Sequence, residues 1–332
     1  SKADDEGNIS LDEEPANVDI YAMAAAAHNS GGKVIFQVRE KVRKGELGAR
    51  QVRVPSALVD VVVVDPDQRQ GYELIYDPSI SGEQQDAKYH SEKPPFSVRL
   101  AIARRARLEL FKGAVINFGF GIPDQVAALI AQSGESEDYF QTIEHGTYGG
   151  NLLTGNLFGY AKNPTCMIDG PAQFDFYSGG GLDVAFLGFG QIDQAGNVNV
   201  SKLDGVTVGP GGFIDIAQNA KKVVFCGTFD TKGSKLGTGA GELIVEKPGE
   251  IRKLVQQVDQ ITFSGKQALK QKQEVIYATE RALFRLTEAG LVLEELAPGV
   301  ELEKDVLHQM DFSPIISKQL KRMDSSFFME QE

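Results

Sequence analysis

Short apolar runs, broken by glycine and followed by stretches of helical spacing, recur along this chain. Ala114 to Phe118 is such a run; Gly119, Gly121 and Pro123 interrupt it, and an amphipathic pattern follows from Asp124 to Gln132. The spacing predicts strand, turn and helix, with Pro123 in the first turn, where its missing N–H does no harm. Phe140 to Ile143 predicts another strand, which delivers Glu144 onto His145-Gly146, with Gly149-Gly150 close behind. A carboxylate at the carboxyl end of a strand, facing a glycine-rich loop, lies where open α/β sheets bind ligands. Earlier in the chain, Val18 to His28 has an alanine-rich helical pattern, and Lys33 to Val38 and Leu58 to Asp65 read as strands. Arg99 to Lys112 places Leu100, Ala103, Leu108 and Phe111 near one face of a helix, with Gly113 as its C-cap. Further strands are expected around Val115, Thr142, Met167, Val184, Val224 and Ile261. Arg281 to Glu288 and Leu291 to Leu296 flank Ala289-Gly290 as a hairpin, and a helix from Glu301 to Met310 closes the fold. The alternation predicts an α/β fold with a largely parallel sheet.

One pattern occurs twice. Asp4-Asp-Glu-Gly7-Asn8-Ile9 matches Asp193-Gln-Ala-Gly196-Asn197-Val198, and Lys33-Val-Ile-Phe36 matches Lys222-Val-Val-Phe225. Gly7 to Gly196 and Lys33 to Lys222 are the same 189 residues apart, so the chain reads as a pseudo-repeat rather than two chance turns. In the second copy a long segment, from about Arg99 to Gly190, precedes the Gly-Asn turn; in the first copy almost nothing does. The expectation is two related domains, the first incomplete. Residues 1–78 are its latter part, the polar run SISGEQQDAKYHSEKPP marks a linker over 79–96, and 97–332 form a complete second domain.

Composition narrows the class. The 332 residues are 42% hydrophobic and 24% charged, enough for a large core. The longest aliphatic run, Leu58 to Val64, contains Asp60 and is too short to span a bilayer, so no membrane role is expected. Cys166 and Cys226 sit in apolar runs and read as reduced core residues of a cytoplasmic protein. The net charge of -12 disfavours nucleic acid as a partner. The basic cluster Arg39, Lys41, Arg43 and Lys44 reads as a solvated face ahead of an anion pocket. No metal site is expected, because His28, His90, His145 and His308 are dispersed without ligand spacing.

Four constellations carry candidate chemistry. Gly119-Phe-Gly121-Ile-Pro123 lacks the third glycine of a dinucleotide fingerprint, which argues against a nicotinamide enzyme. His145 lies beside Glu144, but adjacent side chains on an extended segment point to opposite faces, so a turn role suits it better than a dyad. Gly179-Gly-Gly181 has no following GKS/T and reads as a tight turn. Gly209-Pro-Gly211-Gly212 precedes the helical pattern FIDIAQNA, where backbone N–H groups can face an anion or a developing oxyanion, or serve as a simple loop.

Taken in order, NFGFGIPD, TIEHGTYGG, QFDFYSGGGLDVAFLGFGQIDQAGNVNV, VGPGGFIDI and KKVVFCGTF resemble a class I coenzyme A transferase, of the single-chain propionate and acetate CoA-transferase branch. The resemblance implies two related open α/β domains, the first lacking its early portion here, and the second holding a mostly parallel sheet with a C-terminal hairpin. It implies an enzyme that moves coenzyme A between short-chain acyl-CoA and a carboxylate, with no permanently bound cofactor and a homo-oligomeric state, dimer or tetramer. Glu144 takes the role of nucleophile, Gly212 with Gly211 the oxyanion donors, Asn117, Gly119, Gly121 and Gly209 the coenzyme A contacts, and Gln173, Phe174 and Tyr177 the substrate pocket. Two alternatives stay open: an acyl-CoA hydrolase using the same glutamate, and a noncatalytic ligand-binding protein or inactive fragment of the same fold.

Overall fold

A computed structural model describes residues 1–330, which form two compact units. The first comprises Ser1–Ser91 and Phe140–Phe176; the second comprises Glu92–Tyr139 and the described residues from Tyr177 onward. The division near residue 91 falls within the polar run over 79–96, and the segment that carries Glu144, Phe140–Phe176, clusters with Ser1–Ser91. The reason is local: this segment is hydrogen-bonded to the N-terminal residues through Asn163 N–H to Ser79 O (2.8 Å) and Gly170 N–H to Val18 O (2.8 Å).

The first unit opens with β1 (Lys2–Asp4), β2 (Ile9–Ser10), α1 (Ile20–Asn29), β3 (Ile35–Val38), β4 (Glu40–Val42), β5 (Val52–Val54) and β6 (Val61–Val64). Four of these strands form a sheet in the order β4-β1-β2-β5, while β3 and β6 pair in parallel. The small core under them joins Ile9, Leu11, Ala24, Val34, Val38 and Val54. The opposite face of the β3–β6 pair is open, with Ile35 65% exposed and Val61 and Val63 close to half. Of the basic cluster, Lys41, Arg43 and Lys44 are exposed, Lys41 pairing with Asp5 (3.1 Å) and Lys44 with Glu6 (2.7 Å), whereas Arg39 is half-buried between Glu13 (2.5 Å) and the Tyr76 ring.

The chain then enters the second unit through α2 (Val98–Arg107), β7 (Val115–Phe118) and α3 (Ile122–Gln132). Ser97 caps α2 by accepting the Leu100 N–H, and basic residues fill its last turn, where they complement the helix dipole. The helix ends at Arg107, before the Lys112 expected from spacing, and leaves Leu108 and Phe111 exposed. Returning to the first unit, β8 (Phe140–Ile143), β9 (Thr147–Tyr148), β10 (Asn151–Leu152), β11 (Ala161–Lys162) and β12 (Cys166–Met167) make short antiparallel pairings, and α4 (Gly170–Ser178) follows. Cys166 is exposed on the two-residue β12, contrary to its expected place in a core; Cys226 is buried.

The remainder builds the second unit's sheet. β13 (Val184–Leu187), β14 (Gln191–Asp193), β15 (Val198–Asn199), the small hairpin β16 (Lys202–Leu203) and β17 (Val206–Thr207), and α5 (Phe213–Asn219) lead to β18 (Lys222–Cys226). The pairs β19 (Asp230–Thr231) with β22 (Ile251–Arg252), and β20 (Lys235–Gly239) with β21 (Glu242–Lys247), precede β23 (Leu254–Val255) and α6 (Gly265–Lys270). β24 (Glu274–Ala278), β25 (Ala282–Thr287), β26 (Gly290–Leu296) and β27 (Ile315–Arg322) complete the sheet in the order β7-β13-β18-β24-β25-β26-β27. β7, β13, β18 and β24 are mutually parallel, and β25–β26 is the expected hairpin. Phe225 anchors the core, with ring centroids 5.9 Å from Phe213, 5.0 Å from Phe263 and 5.4 Å from Tyr277. Two expectations need correction. Ile261 is exposed and lies outside any strand, and the parallel strand after β18 is β24; the stretch 302–309 is one π turn and one 3-10 turn, after which β27 follows.

The pseudo-repeat is structural. Asp4 Oδ1 accepts the Glu6 and Asn8 N–H groups at 2.9 Å, and Asp193 Oδ1 accepts those of Ala195 and Asn197 at 3.0 Å. Asn8 Oδ1 then accepts the Ser56 N–H, as Asn197 Oδ1 accepts that of Gly265, both at 3.0 Å. Asx chemistry is local, so the same residue spacing rebuilds the same turn. β1, β2, α1 and β3 therefore correspond to β14, β15, α5 and β18; α1 begins earlier in its copy, so that by the same spacing Gly209-Pro-Gly-Gly212 falls on Ile20–Met23, the first turn of α1.

Candidate active site

Glu144 lies in the tight connection of the β8–β9 hairpin, between the paired residues Ile143 and Thr147. The strand leading to it is buried from Gln141 to Ile143, which fixes where it ends; Glu144 itself is half-buried. Gly146, at φ +101°, closes the turn by donating its N–H to Ile143 O at 2.9 Å. A Cβ there would meet Ile168 O at 2.0 Å, so only glycine fits. His145 is a residue of the same turn; its Nδ1 lies 3.0 Å from Gly159 O, a carbonyl that can only accept, which assigns the proton to Nδ1. Gln173 is fully buried in the same unit, on α4, and Phe174 beside it is half-buried.

The other residues singled out from the sequence lie in the second unit. Asn117, fully buried on β7, donates from Nδ2 to the Tyr177 hydroxyl at 3.3 Å, and Tyr177 is itself a core side chain. Gly119 donates to Phe186 O at 2.7 Å and packs against Leu187. Gly121, at φ +98°, is the N-cap of α3 and donates to Asp124 Oδ2 at 3.0 Å. Burial raises the Asp124 carboxyl, with the Gly121 hydrogen bond and Arg99 opposing. Gly209 and Gly211 both have positive φ with open space where a Cβ would stand, and Gly212 is the N-cap of α5. The backbone of this loop is thus accessible to a ligand. Among the described residues, no group of three or more His, Cys, Asp or Glu is placed to hold a metal ion, and no helix is long and apolar enough to cross a membrane.

A buried ionic cluster at the carboxyl ends of β18 and β24 escaped the sequence reading, although Glu280-Arg281 inside the run YATERALF was its signal. Arg281 Nη2 is 2.5 Å from Asp230 Oδ2, and Glu280 Oε2 accepts the Phe229 N–H at 2.8 Å. Lys253 Nζ lies 4.1 Å over the Phe189 ring. Burial lowers this ammonium from its ordinary 10.5 to about 8; Glu280 and Asp230 oppose the shift and Arg99 reinforces it. The folded value is below the unfolded one, so the folded state releases its proton first as pH rises. Stability from this group is therefore present above the unfolded value and is lost as pH falls through the folded one. Lys253→Met is expected to gain stability relative to the parent as pH falls from about 10.5 to about 8, with the gap level below that range. Urea denaturation of both proteins across the range checks it, and a pH-independent gap would contradict the assignment.

Comparison with known proteins supplies context for this arrangement. No family model matches the chain. The acetate CoA-transferase YdiF of Escherichia coli O157:H7 is 43% identical over 328 residues, covering 98% of this chain and 62% of that protein. The caffeate CoA-transferase of Acetobacterium woodii is 42% identical over 337 residues, covering 99% of this chain and 64% of its own length. The chain thus spans less than two thirds of these curated relatives. Among solved structures, the apoenzyme of the YdiF acyl-CoA transferase superposes with a TM-score of 0.92 at 42% identity, over 100% of this chain and 62% of that one. A YdiF thioester complex with CoA matches equally, at 0.92 over 99% of this chain. Glutaconate coenzyme A-transferase from Acidaminococcus fermentans, at 16% identity and TM-score 0.54 over 70% of the chain, shares the α/β fold. With similarity above 40% identity running through nearly all of its residues, the chain belongs to the class I coenzyme A transferase family.

Proposed function

We propose that this protein transfers coenzyme A between a short-chain acyl-CoA and a carboxylate acceptor by a ping-pong route through a glutamyl-CoA thioester on Glu144. The observation that carries the reading is the placement of Glu144: a half-buried carboxylate in a hairpin connection that tolerates only glycine two residues on. The Glu144 carboxylate attacks the acyl-CoA thioester carbonyl, and collapse of the tetrahedral adduct releases coenzyme A thiolate and leaves a mixed anhydride. The thiolate attacks the glutamyl carbonyl of that anhydride, forming the glutamyl-CoA thioester and freeing the first acid. A second carboxylate reverses both steps. A carboxylate nucleophile keeps the thioester's energy on the enzyme instead of losing it to water.

Each tetrahedral adduct bears an oxyanion, and the backbone of Gly211-Gly212 at the entry of α5 is the donor pair assigned to it. Asn117, Gly119, Gly121 and Gly209 are assigned to coenzyme A. Gln173, Phe174 and Tyr177 are assigned to the acyl group. In family terms residues 1–78 are the latter part of a first domain and 97–332 a second, joined by 79–96. A cytoplasmic homo-oligomer is the assembly this reading expects. Initial rates with acetyl-CoA and a varied carboxylate acceptor test it. Parallel double-reciprocal lines are expected, and thioester cleavage that is independent of acceptor would replace the transferase by a hydrolase.

A further inference from the structure

The loop that carries Glu144 is held from behind by a cluster whose members are far apart in sequence. Gly146 O accepts the Ile168 N–H at 2.8 Å, so the turn leans on the segment Ile168-Asp169-Gly170. That segment is fixed in turn. Gly170 donates to Val18 O at 2.8 Å, and Asp169 Oδ1 accepts from Asn17 Nδ2 at 3.0 Å and from the Arg53 guanidinium. Val18 has φ +43°, a left-handed conformation that a β-branched residue adopts only when its surroundings over-determine it. Here the neighbours on both sides do so: Asn17 binds Asp169, and Asp19 Oδ1 and the Val18 carbonyl fill the space where a Cβ on Gly170 would stand. All these residues belong to the first unit.

We infer that Asn17, Arg53 and Asp169 are positioning residues for the glutamyl nucleophile: by clamping Ile168–Gly170 against Gly146 they set the direction in which Glu144 leaves the hairpin. The inference rests on Glu144 being the nucleophile. Asn17-Val18-Asp19 thus leads into α1 and braces the turn that carries Glu144.

A purely structural role predicts something else. The Arg53 and Asp169 side chains are 35% and 37% exposed, and ion pairs so accessible to water contribute little to stability. Displacement of a reacting group by about 1 Å, by contrast, costs on the order of 100-fold in rate. Breaking the clamp should therefore slow chemistry far more than it loosens the fold.

The test uses Asp169→Asn and Arg53→Met, with Arg53→Lys as the conservative variant. Steady-state constants, thermal midpoints and the rate of coenzyme A attachment to Glu144 at saturating acetyl-CoA are compared with the parent. The clamp predicts that Asp169→Asn and Arg53→Met each lower kcat by about 10- to 100-fold, with KM for acetyl-CoA within about threefold. The attachment rate falls in step with kcat, thermal midpoints change little, and Arg53→Lys recovers part of the loss. The double variant is no slower than the worse single one, since both break one contact. If one variant fails to fold, the other still decides. Unchanged attachment rates in folded variants overturn the inference, as does a raised KM at constant kcat. A parent protein that binds coenzyme A but forms no adduct would instead remove the nucleophile reading on which the inference rests.

Discussion

Replacing Glu144 with glutamine is expected to lower CoA transfer by at least about 10,000-fold, the scale on which losing a covalent nucleophile acts. The substitution keeps the shape of a half-buried side chain and removes its capacity to form an anhydride or a thioester. KM values lose meaning at such rates, so binding is the proper control: coenzyme A should bind the variant about as tightly as the parent. The fold should be retained, because the Ile143–Thr147 pairing and the Gly146 hydrogen bond set the hairpin. A variant retaining a tenth of the parental activity would place the nucleophile elsewhere.

The largest expected effect on stability lies at Arg281. Its side chain is fully buried; besides Asp230 it donates from Nη1 to Asp305 O at 3.1 Å, and its Nε is 3.3 Å from Glu280 Oε1. One guanidinium therefore faces two buried carboxylates while covering the Phe229 ring at 4.9 Å. Burial raises the Glu280 carboxyl, and Arg281 is the main charge opposing that rise. Arg281→Met is expected to cost about 3–5 kcal/mol, because it leaves buried carboxylates without their cation. Arg281→Lys should recover part of this, since it restores the charge without the planar fork. Converting Asp230, Glu280 and Arg281 together to apolar residues of similar volume should cost far less than the single change, as uncompensated charge is the source of the loss. Urea denaturation of the three proteins measures each difference, and a loss below about 1 kcal/mol for Arg281→Met would show that the cluster is solvated.

How much of this was legible in the sequence depends on how local the governing physics is. The Asp-Gly-Asn turns were readable because the aspartate bonds backbone groups two and four residues on, whatever lies around it. The β25–β26 hairpin and the strand-turn-helix from Val115 to Gln132 were readable for the same reason. Where burial decides, spacing misled. Leu108 and Phe111 fit a helical face, yet nothing covers them, and the helix stops at Arg107. Ile261 resembled a strand centre but lies exposed outside any strand, while β24 gains its place by pairing with β18. Cys166 sits in an apolar run whose strand is too short to be enclosed. Of the site, Glu144 and the glycine loops could be named from order and spacing. Asn17, Arg53 and Asp169 could not, because no local rule links residues that meet only when the chain returns to its first unit at Phe140.

The central claim is that Glu144 carries coenzyme A during turnover, and intact-protein mass spectrometry after incubation with acetyl-CoA tests it most directly. The account predicts a gain equal to coenzyme A less water, localised to the peptide containing Glu144, released by hydroxylamine and absent from the Glu144→Gln variant. A protein that binds coenzyme A yet shows no such gain, or carries it on any residue other than Glu144, would contradict the account.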